Sequence, residues 1–210
     1  MNRSSVFLGI DPGTGRTGWG IVKTEHSKDG FSLEYVAHGC ITTDQIDVMH
    51  KRLLVLQEKL QNIISAYKPQ NVIVEQIFFG VNTKTAISVS QARGVVMLTI
   101  AQNELAMHEY TSGSWKHGIS GNGRMEKKDI QMVVRKILHK NSVKLSFNTK
   151  DKAFDDAADA LAIAIHHVYK ENGVVVEKLD LPGKKVKTPK KEKVVKKTLK
   201  KKTTKTKKVA

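Results

Sequence analysis

The sequence predicts an α/β protein with a mixed five-stranded sheet flanked by helices. Three strand-like segments come first, and helix-like and strand-like segments then alternate, so that an antiparallel meander precedes parallel crossovers. Charge divides the chain, because Lys184–Ala210 contributes +13 of the formal net charge of +16 through 14 lysines and one glutamate. We therefore expect a near-neutral domain over residues 1–172 and a disordered lysine-rich tail over residues 173–210.

The meander occupies the first forty residues. Val6–Ile10 is a continuous apolar run, typical of a strand buried on both faces. Asp11-Pro12-Gly13-Thr14-Gly15 ends it in a turn. The next strands are predicted at Trp19–Lys23 and Leu33–Thr42, with the turn between them at Ser27–Gly30.

Helical spacing begins after the meander. Ile46–Tyr67 carries one apolar stripe, and Lys68-Pro69 ends the helix. Asn71–Glu75 is predicted as a buried strand, a long helix runs from about Asn82 to Met107, and His108–Thr111 forms the last strand. The apolar residues of the long helix are too widely distributed for one exposed face, so it is either central or an association surface.

The last third of the domain is predicted to be helical around irregular segments. Four glycines indicate a loop over Ser112–Arg124, and Met125–Leu138 returns to helical spacing. Asn141–Lys152 is polar and irregular. The final helix covers about Asp155–Tyr169 and has apolar residues on one side.

Composition excludes several classes of protein. No run approaches the roughly 18 apolar residues of a membrane span, and the short apolar N-terminus does not fit a signal peptide. The single cysteine, Cys40, cannot form an internal disulfide, which favours a cytoplasmic location. The histidines and the cysteine lack the spacing of zinc ligands.

Acidic residues stand at unusual places. Asp11 and Glu75 each follow a buried strand, and the carboxyl ends of neighbouring strands meet at one sheet edge. Asp156 and Asp159 are three residues apart and share a helix face. Taken singly, Asp11 could be a turn residue, Glu75 a surface acid, and the helix acids capping groups, the explanation that we prefer for Asp155.

Together these acids indicate a metal site. Four clustered carboxylates repel one another strongly, and all-oxygen ligands suit Mg²⁺ or Mn²⁺. Two such ions about 4 Å apart stabilise the attacking and leaving oxygens during phosphodiester hydrolysis. The sequence therefore predicts two ions per site, held by Asp11, Glu75, Asp156 and Asp159.

Several blocks resemble the RuvC-type Holliday-junction resolvases. These are Phe7–Gly13, Thr17–Gly20, Val74-Glu75-Gln76, Gln91–Gly94 and Asp155–Ala164, in the same order as in the family. The resemblance covers about residues 6–169 and implies a ribonuclease-H-like fold. It also implies a metal-dependent endonuclease that resolves four-way DNA junctions by paired symmetric nicks in recombination and repair.

The resemblance assigns roles to single residues. It implies that Asp11, Glu75, Asp156 and Asp159 are the catalytic, metal-binding acids. Phe78 matches an aromatic residue near the junction centre, where it could stack on a base, although it could also be a core residue. Lys116 and Lys127 match basic positions near the scissile phosphate, and Lys128 is an alternative to Lys127.

The implied partners are the junction, a second copy of the chain and the branch-migration proteins RuvA and RuvB. A two-fold symmetric dimer places two sites on opposing strands of the junction. The helix segment Ile87–Met107 is either that interface or an ordinary buried helix. The tail, Lys184–Ala210, would bind phosphates without sequence preference, or it is a solubility extension.

Two other classes remain possible on sequence alone. Gly9–Thr14 also resembles the first phosphate loop of the actin and sugar-kinase ATPases, but no second phosphate loop follows. A DNA-architectural protein would use the basic tail, but such a protein leaves the acids after buried strands unexplained.

Overall fold

The computed structural model describes residues 3–28, 30–76, 83–139 and 152–177, and these ranges contain five strands and five helices. The chain divides into two units, Met1–Asp180 and Leu181–Ala210, and the described residues all belong to the first. The strands are β1 (Arg3–Asp11), β2 (Arg16–Ser27), β3 (Gly30–Thr42), β4 (Asn71–Gln76) and β5 (Ala106–Thr111). The helices are α1 (Met49–Tyr67), α2 (Thr83–Gln102), α3 (Ser112–Ser120), α4 (Lys127–His139) and α5 (Lys152–Glu171).

The strands form one mixed sheet in the order β3-β2-β1-β4-β5. The first three are antiparallel neighbours, and β4 and β5 join parallel to β1 and to each other. In this register Asp11 pairs with Gly18, Ile10 with Val74, and Glu75 with Tyr110. The predicted meander followed by crossovers is therefore confirmed.

Helices α1 and α2 cover one face of the sheet. Leu56, Leu60 and Ile64 of α1 are buried there, as the predicted stripe requires. The helix begins at Met49, three residues after the predicted start at about Ile46, which is 92% exposed. It ends at Tyr67, and the capping residue Lys68 is in the left-handed conformation before Pro69.

Helix α5 covers the opposite face, and it is buried on all sides. Every residue from Ala157 to Ile165 is at most 9% exposed. The predicted apolar side of α5 is buried, and the rest of the helix is buried as well because α3 and α4 also pack against it. A central helix with no free face can therefore hold polar residues only where they have partners.

Three glycines let α5 lie directly on the strands. A Cβ atom on Gly9 would be 1.9 Å from the Ala160 carbonyl oxygen, and one on Gly18 would be 2.0 Å from the Asp156 carbonyl oxygen. A Cβ on Gly20 would be 2.5 Å from Leu161 Cγ. At Gly9 and Gly18 the backbones of strand and helix meet without intervening side chains, which brings the start of α5 against the end of β1.

Two further expectations need correction. Ser112–Ser120 is helix α3, not part of a loop, and Lys116 lies on it. Helix α2 ends at Gln102, because Glu104 takes a left-handed φ of 54° and β5 already begins at Ala106. Most of the segment predicted as irregular, Asn141–Lys152, lies outside the described residues.

Helix α2 is peripheral. Ala92, Val96 and Ile100 face the core, whereas Ile87 and Leu98 are 71% and 57% exposed. Of the two interpretations of its broad apolar surface, the central helix is therefore wrong. Among the described helices, none is long and apolar enough to cross a membrane.

Candidate active site

Asp11 and Glu75 lie side by side at one edge of the sheet. Side chains alternate along a strand, and Ile10 and Val74 belong to the core under α1 and α2. The residues that follow them therefore turn to the face that α5 covers. Glu75 lies close enough to Asp11 for its charge to raise the Asp11 pKa, as expected if the two strand-end acids lie together.

The turn after Asp11 is closed by a side chain. Thr17 is 1% exposed, and its hydroxyl donates to the Gly13 carbonyl oxygen over 2.7 Å. This bond returns the chain sharply into β2 and leaves Asp11 at the end of its strand. Asp11 is thus placed by the strand and not used to close the turn.

Helix α5 supplies the other two acids. Asp156 and Asp159 are 8% and 9% exposed, and the backbone of Asp156 rests on Gly18, the pairing partner of Asp11. Asp155 turns away and accepts a hydrogen bond from Gln131 on α4. Helix α5 begins at Lys152, so Asp155 is not its N-cap residue, but it lies in the first turn, where the helix dipole favours an acid as we expected.

The pKa values show how closely the acids meet. The pKa of Asp11 is raised well above its usual value, first by burial and then by the charges of Glu75 and Asp159, with Asp156 adding to them. Burial also raises the pKa of Asp159 to about 7, against the opposing charges of Lys127 and Lys116. Asp11 and Asp159 therefore both feel the charges of neighbouring acids in a partly dry site.

Two cations contact Asp156. Arg16 Nε lies 2.8 Å from Asp156 Oδ2, and Lys127 Nζ lies 3.5 Å from Oδ1. Burial lowers the pKa of Lys127, but the charges of Asp159 and Asp156 raise it by more, so the pKa is raised overall. Both Lys127 and Lys128 line a cavity beside α4 with Gln131 and Arg135, but among the described ion pairs only Lys127 contacts Asp156.

Trp115 and Lys116 complete the described site. The Trp115 indole donates from Nε1 to Glu75 Oε1 over 3.3 Å, and Lys116 Nζ lies 5.2 Å from the centre of the Trp115 ring. Sequence reasoning named neither Trp115 nor Arg16. The only available signal was adjacency, to Lys116 in one case and to the turn after Asp11 in the other. Phe78 and its neighbour Phe79 lie outside the described residues.

The donor set fits metal ions in its chemistry. Asp156 Oδ2 is buried and accepts no hydrogen bond within the described residues, because the Arg16 Nε–H nearby does not point at it. In the part of the chain that the structure describes, no three side chains of His, Cys, Asp or Glu stand as a ready-made metal cluster. The repulsion between the four acids is offset by the two cations at Asp156.

A mixed sheet with acids at its strand ends and on the covering helix defines a ribonuclease-H-like nuclease. Two solved structures of Thermus thermophilus RuvC share this fold. The first has a TM-score of 0.66 and 25% identity and covers 80% of this chain and 97% of that chain. The second, in complex with Holliday junction substrate, has a TM-score of 0.68 and 24% identity over 81% of this chain and 97% of that chain.

The family is equally clear from sequence. The model of the family "Crossover junction endodeoxyribonuclease RuvC" matches residues 7–167. The RuvC protein of Caldicellulosiruptor saccharolyticus is 39% identical over 170 residues, which cover 81% of this chain and 96% of that protein. The one of Rubrobacter xylanophilus is 42% identical over 164 residues, 78% of this chain and 85% of that protein.

The chain therefore belongs to the RuvC family of crossover junction endodeoxyribonucleases. Of the three classes that the sequence left open, the endonuclease is confirmed, and the predicted ribonuclease-H-like fold is confirmed with it. Nucleases of this family depend on metal ions, which is the chemistry that the acid cluster fits.

Proposed function

We propose that this chain resolves four-way DNA junctions by metal-assisted phosphodiester hydrolysis, in paired symmetric nicks that serve recombination and repair. The observation that carries the proposal is the meeting of four acids from β1, β4 and α5 in a member of this family. The Holliday junction bound in the Thermus thermophilus RuvC complex supports a junction as the substrate.

Asp11, Glu75, Asp156 and Asp159 are the groups that we propose to hold the ions, with Mg²⁺ as the resident metal and Mn²⁺ as a substitute. Two bound ions would activate a water molecule and stabilise the charge that develops on the phosphate. The raised pKa values of Asp11 and Asp159 support this role, because such carboxylates are stabilised when a cation arrives.

The basic side chains have a complementary role. Lys127 at Asp156, and Lys116 over Trp115, would contact phosphate oxygens beside the acids and offset the repulsion between DNA and the carboxylates. Phe78 remains the proposed stacking residue near the junction centre, from its place after Glu75 in the sequence.

We further propose that two copies associate through α2. Its outward stripe of Ile87, Gln91, Gly94 and Leu98 is exposed and carries no charge. Arg93, a cation on the same helix, is paired with Glu109. An uncharged, partly apolar helix face suits a self-complementary contact.

RuvA and RuvB as partners, and the cytoplasm as the location, follow from the resemblance.

A nicking assay tests the function. The protein should cut a mobile four-way junction in Mg²⁺ and leave a linear duplex of the same sequence intact. Asp11→Asn and Asp156→Asn should each lower kcat at least about 100-fold. Junction affinity should stay equal or tighten slightly, because a negative charge near DNA is removed.

Asp155→Asn is the matched control, since Asp155 is the neighbouring acid on α5 and turns toward Gln131. It should cut at a near-normal rate. Equal cleavage of junction and duplex would disprove the substrate, and cleavage that survives a chelator would disprove the metal.

A further inference from the structure

A tryptophan lies between two groups of the proposed nuclease site. Trp115 is 1% exposed, its indole N–H donates to Glu75 Oε1 over 3.3 Å, and Lys116 Nζ lies 5.2 Å from the ring centre. The edge of the ring therefore contacts a proposed metal ligand, and its face contacts a proposed phosphate-binding lysine.

The backbone determines where this indole lies. Helix α3 begins directly after Thr111, whose hydroxyl accepts from the Ser114 N–H over 3.2 Å and caps the helix. Tyr110 of β5, just before the cap, pairs in register with Glu75 of β4. The first turn of α3 is thereby held next to the carboxylate, and Trp115 is the residue that reaches it.

The hydrogen bond to Glu75 is one that the indole needs. An indole N–H can only donate, and a deeply buried tryptophan is stable when this group has an acceptor. Glu75 also stands near Asp11, whose pKa its charge raises. The Glu75 carboxylate therefore lies between β1 and α3, and the indole of α3 is its hydrogen-bond donor.

The position of Lys116 does not follow from its adjacency to Trp115. Consecutive helix residues point about 100° apart, so the lysine side chain has to fold back over the ring. The face of a tryptophan attracts an ammonium group more strongly than any other aromatic face. Placed there, the charge of Lys116 acts on Asp159 and opposes the rise of its pKa.

We propose that Trp115 is a positioning residue of the nuclease site, which orients Glu75 with its N–H and holds Lys116 with its ring face. This inference rests on the function proposed above. It differs from a packing role in predicting that loss of the N–H at Trp115 impairs metal binding, whereas the same loss of ring volume at Trp19 does not.

Trp115→Phe tests the N–H, because phenylalanine keeps an aromatic face and most of the volume. Calorimetry on the protein without DNA should show Mn²⁺ binding about tenfold weaker, and kcat for junction nicking should fall by about tenfold. Junction affinity should be unchanged. Trp19→Phe is the matched control, since the Trp19 ring packs against Tyr67. Its Mn²⁺ affinity and its kcat should both equal those of the unmodified protein.

Two further measurements separate the roles of the edge and the face. Trp115→Leu should lower kcat below that of Trp115→Phe, and this extra loss should disappear when Lys116 is already Met. In Trp19→Phe protein Trp115 is the one remaining tryptophan, so its emission should change with Mn²⁺ at the calorimetric midpoint.

The outcomes are distinct. If the unmodified protein cuts junctions and Trp115→Phe binds Mn²⁺ and cuts like Trp19→Phe, Trp115 is a packing residue and the inference is wrong. If the unmodified protein does not cut junctions, the proposed function fails. The Mn²⁺ affinity and the emission of Trp115 still decide whether the indole positions Glu75.

Discussion

Single residues decide which of two neighbouring lysines serves the site. The sequence left Lys127 and Lys128 as alternatives, and only Lys127 reaches Asp156, at 3.5 Å. Arg16 also contacts Asp156, from 140 positions earlier in the chain. Such contacts are absent from local sequence patterns, because they depend on how α5 docks on the sheet.

Lys127→Met should lower kcat for junction nicking about 100-fold, because a charge beside the reacting phosphate is lost. Lys128→Met should change it by less than about threefold. The two variants are compared at saturating junction. Equal losses in both would mean that α4 contributes only a general positive field.

The same substitution should move the pH profile. Lys127 lowers the pKa of Asp159, which burial has raised to about 7. Without Lys127 the pKa of Asp159 rises further, so Asp159 stays protonated to a higher pH. As the pH is lowered, the variant should therefore lose Mn²⁺ binding at a higher pH than the unmodified protein does. Calorimetry between about pH 6 and pH 8 measures the shift, and an unmoved acid limb would contradict it.

At the scale of elements, strands were easier to predict than the helix that covers them. Val6–Ile10 and Val72–Val74 are short apolar runs that end in acids, so their position and the meeting of Asp11 with Glu75 followed from pattern alone. The full burial of α5 could not be predicted from its sequence, because α3 packs against it. The glycines of α3 had indicated a loop at that position.

One of those glycines has a tertiary reason. A Cβ on Gly118 would be 1.9 Å from Nδ1 of the His166 ring, so glycine lowers helix propensity here in order to admit a side chain from α5. Sequence reasoning weighs the lost propensity and has no access to the contact. The missed helix α3 and the unexpected full burial of α5 therefore have the same cause, the packing of α3 against α5.

The histidines of α5 give the fold a pH dependence. Burial, assisted by Lys170, lowers the pKa of both His166 and His167 to about 4. The unfolded chain takes up these protons near pH 6.5 and the folded protein does not. Stability is therefore fully present above about pH 6.5 and falls toward pH 4, by at most about 1.4 kcal/mol per pH unit for each ring.

Guanidinium unfolding between about pH 7 and pH 5 checks this dependence. His166→Gln should reduce the slope of stability against pH, whereas His50→Gln, which replaces an exposed histidine at the start of α1, should leave it unchanged. A steeper slope in His166→Gln would contradict the sign.

For the whole molecule, the exposed face of α2 makes a prediction about assembly. Leu98→Glu places a charge in the proposed interface and should convert a dimer to a monomer, measured by light scattering. Paired nicks should then become unlinked single nicks. Val36→Glu on the edge strand β3 is the control for an added surface charge, and a dimer that survives Leu98→Glu would exclude this face.

The tail makes a second prediction at this scale. Removing residues 184–210 takes away 14 lysines and one glutamate. Junction selectivity and kcat should persist, because the acids lie in the folded domain, while the slope of log affinity against log salt should flatten by several units. Loss of all junction binding would instead assign recognition to the tail.

The glycine contacts between α5 and the strands have a consequence for how this nuclease can be lost. Spacing between Asp11 and the helix acids is set by main chain against main chain, so no side-chain rotamer can compensate for a change in it. A methyl group at Gly18 requires the Asp156 backbone to move, although Gly18 has no side chain to bind a metal ion. Substitutions that inactivate the enzyme should therefore include glycines that take no part in the reaction. The spacing between strand and helix leaves no room for even one added carbon atom at these positions.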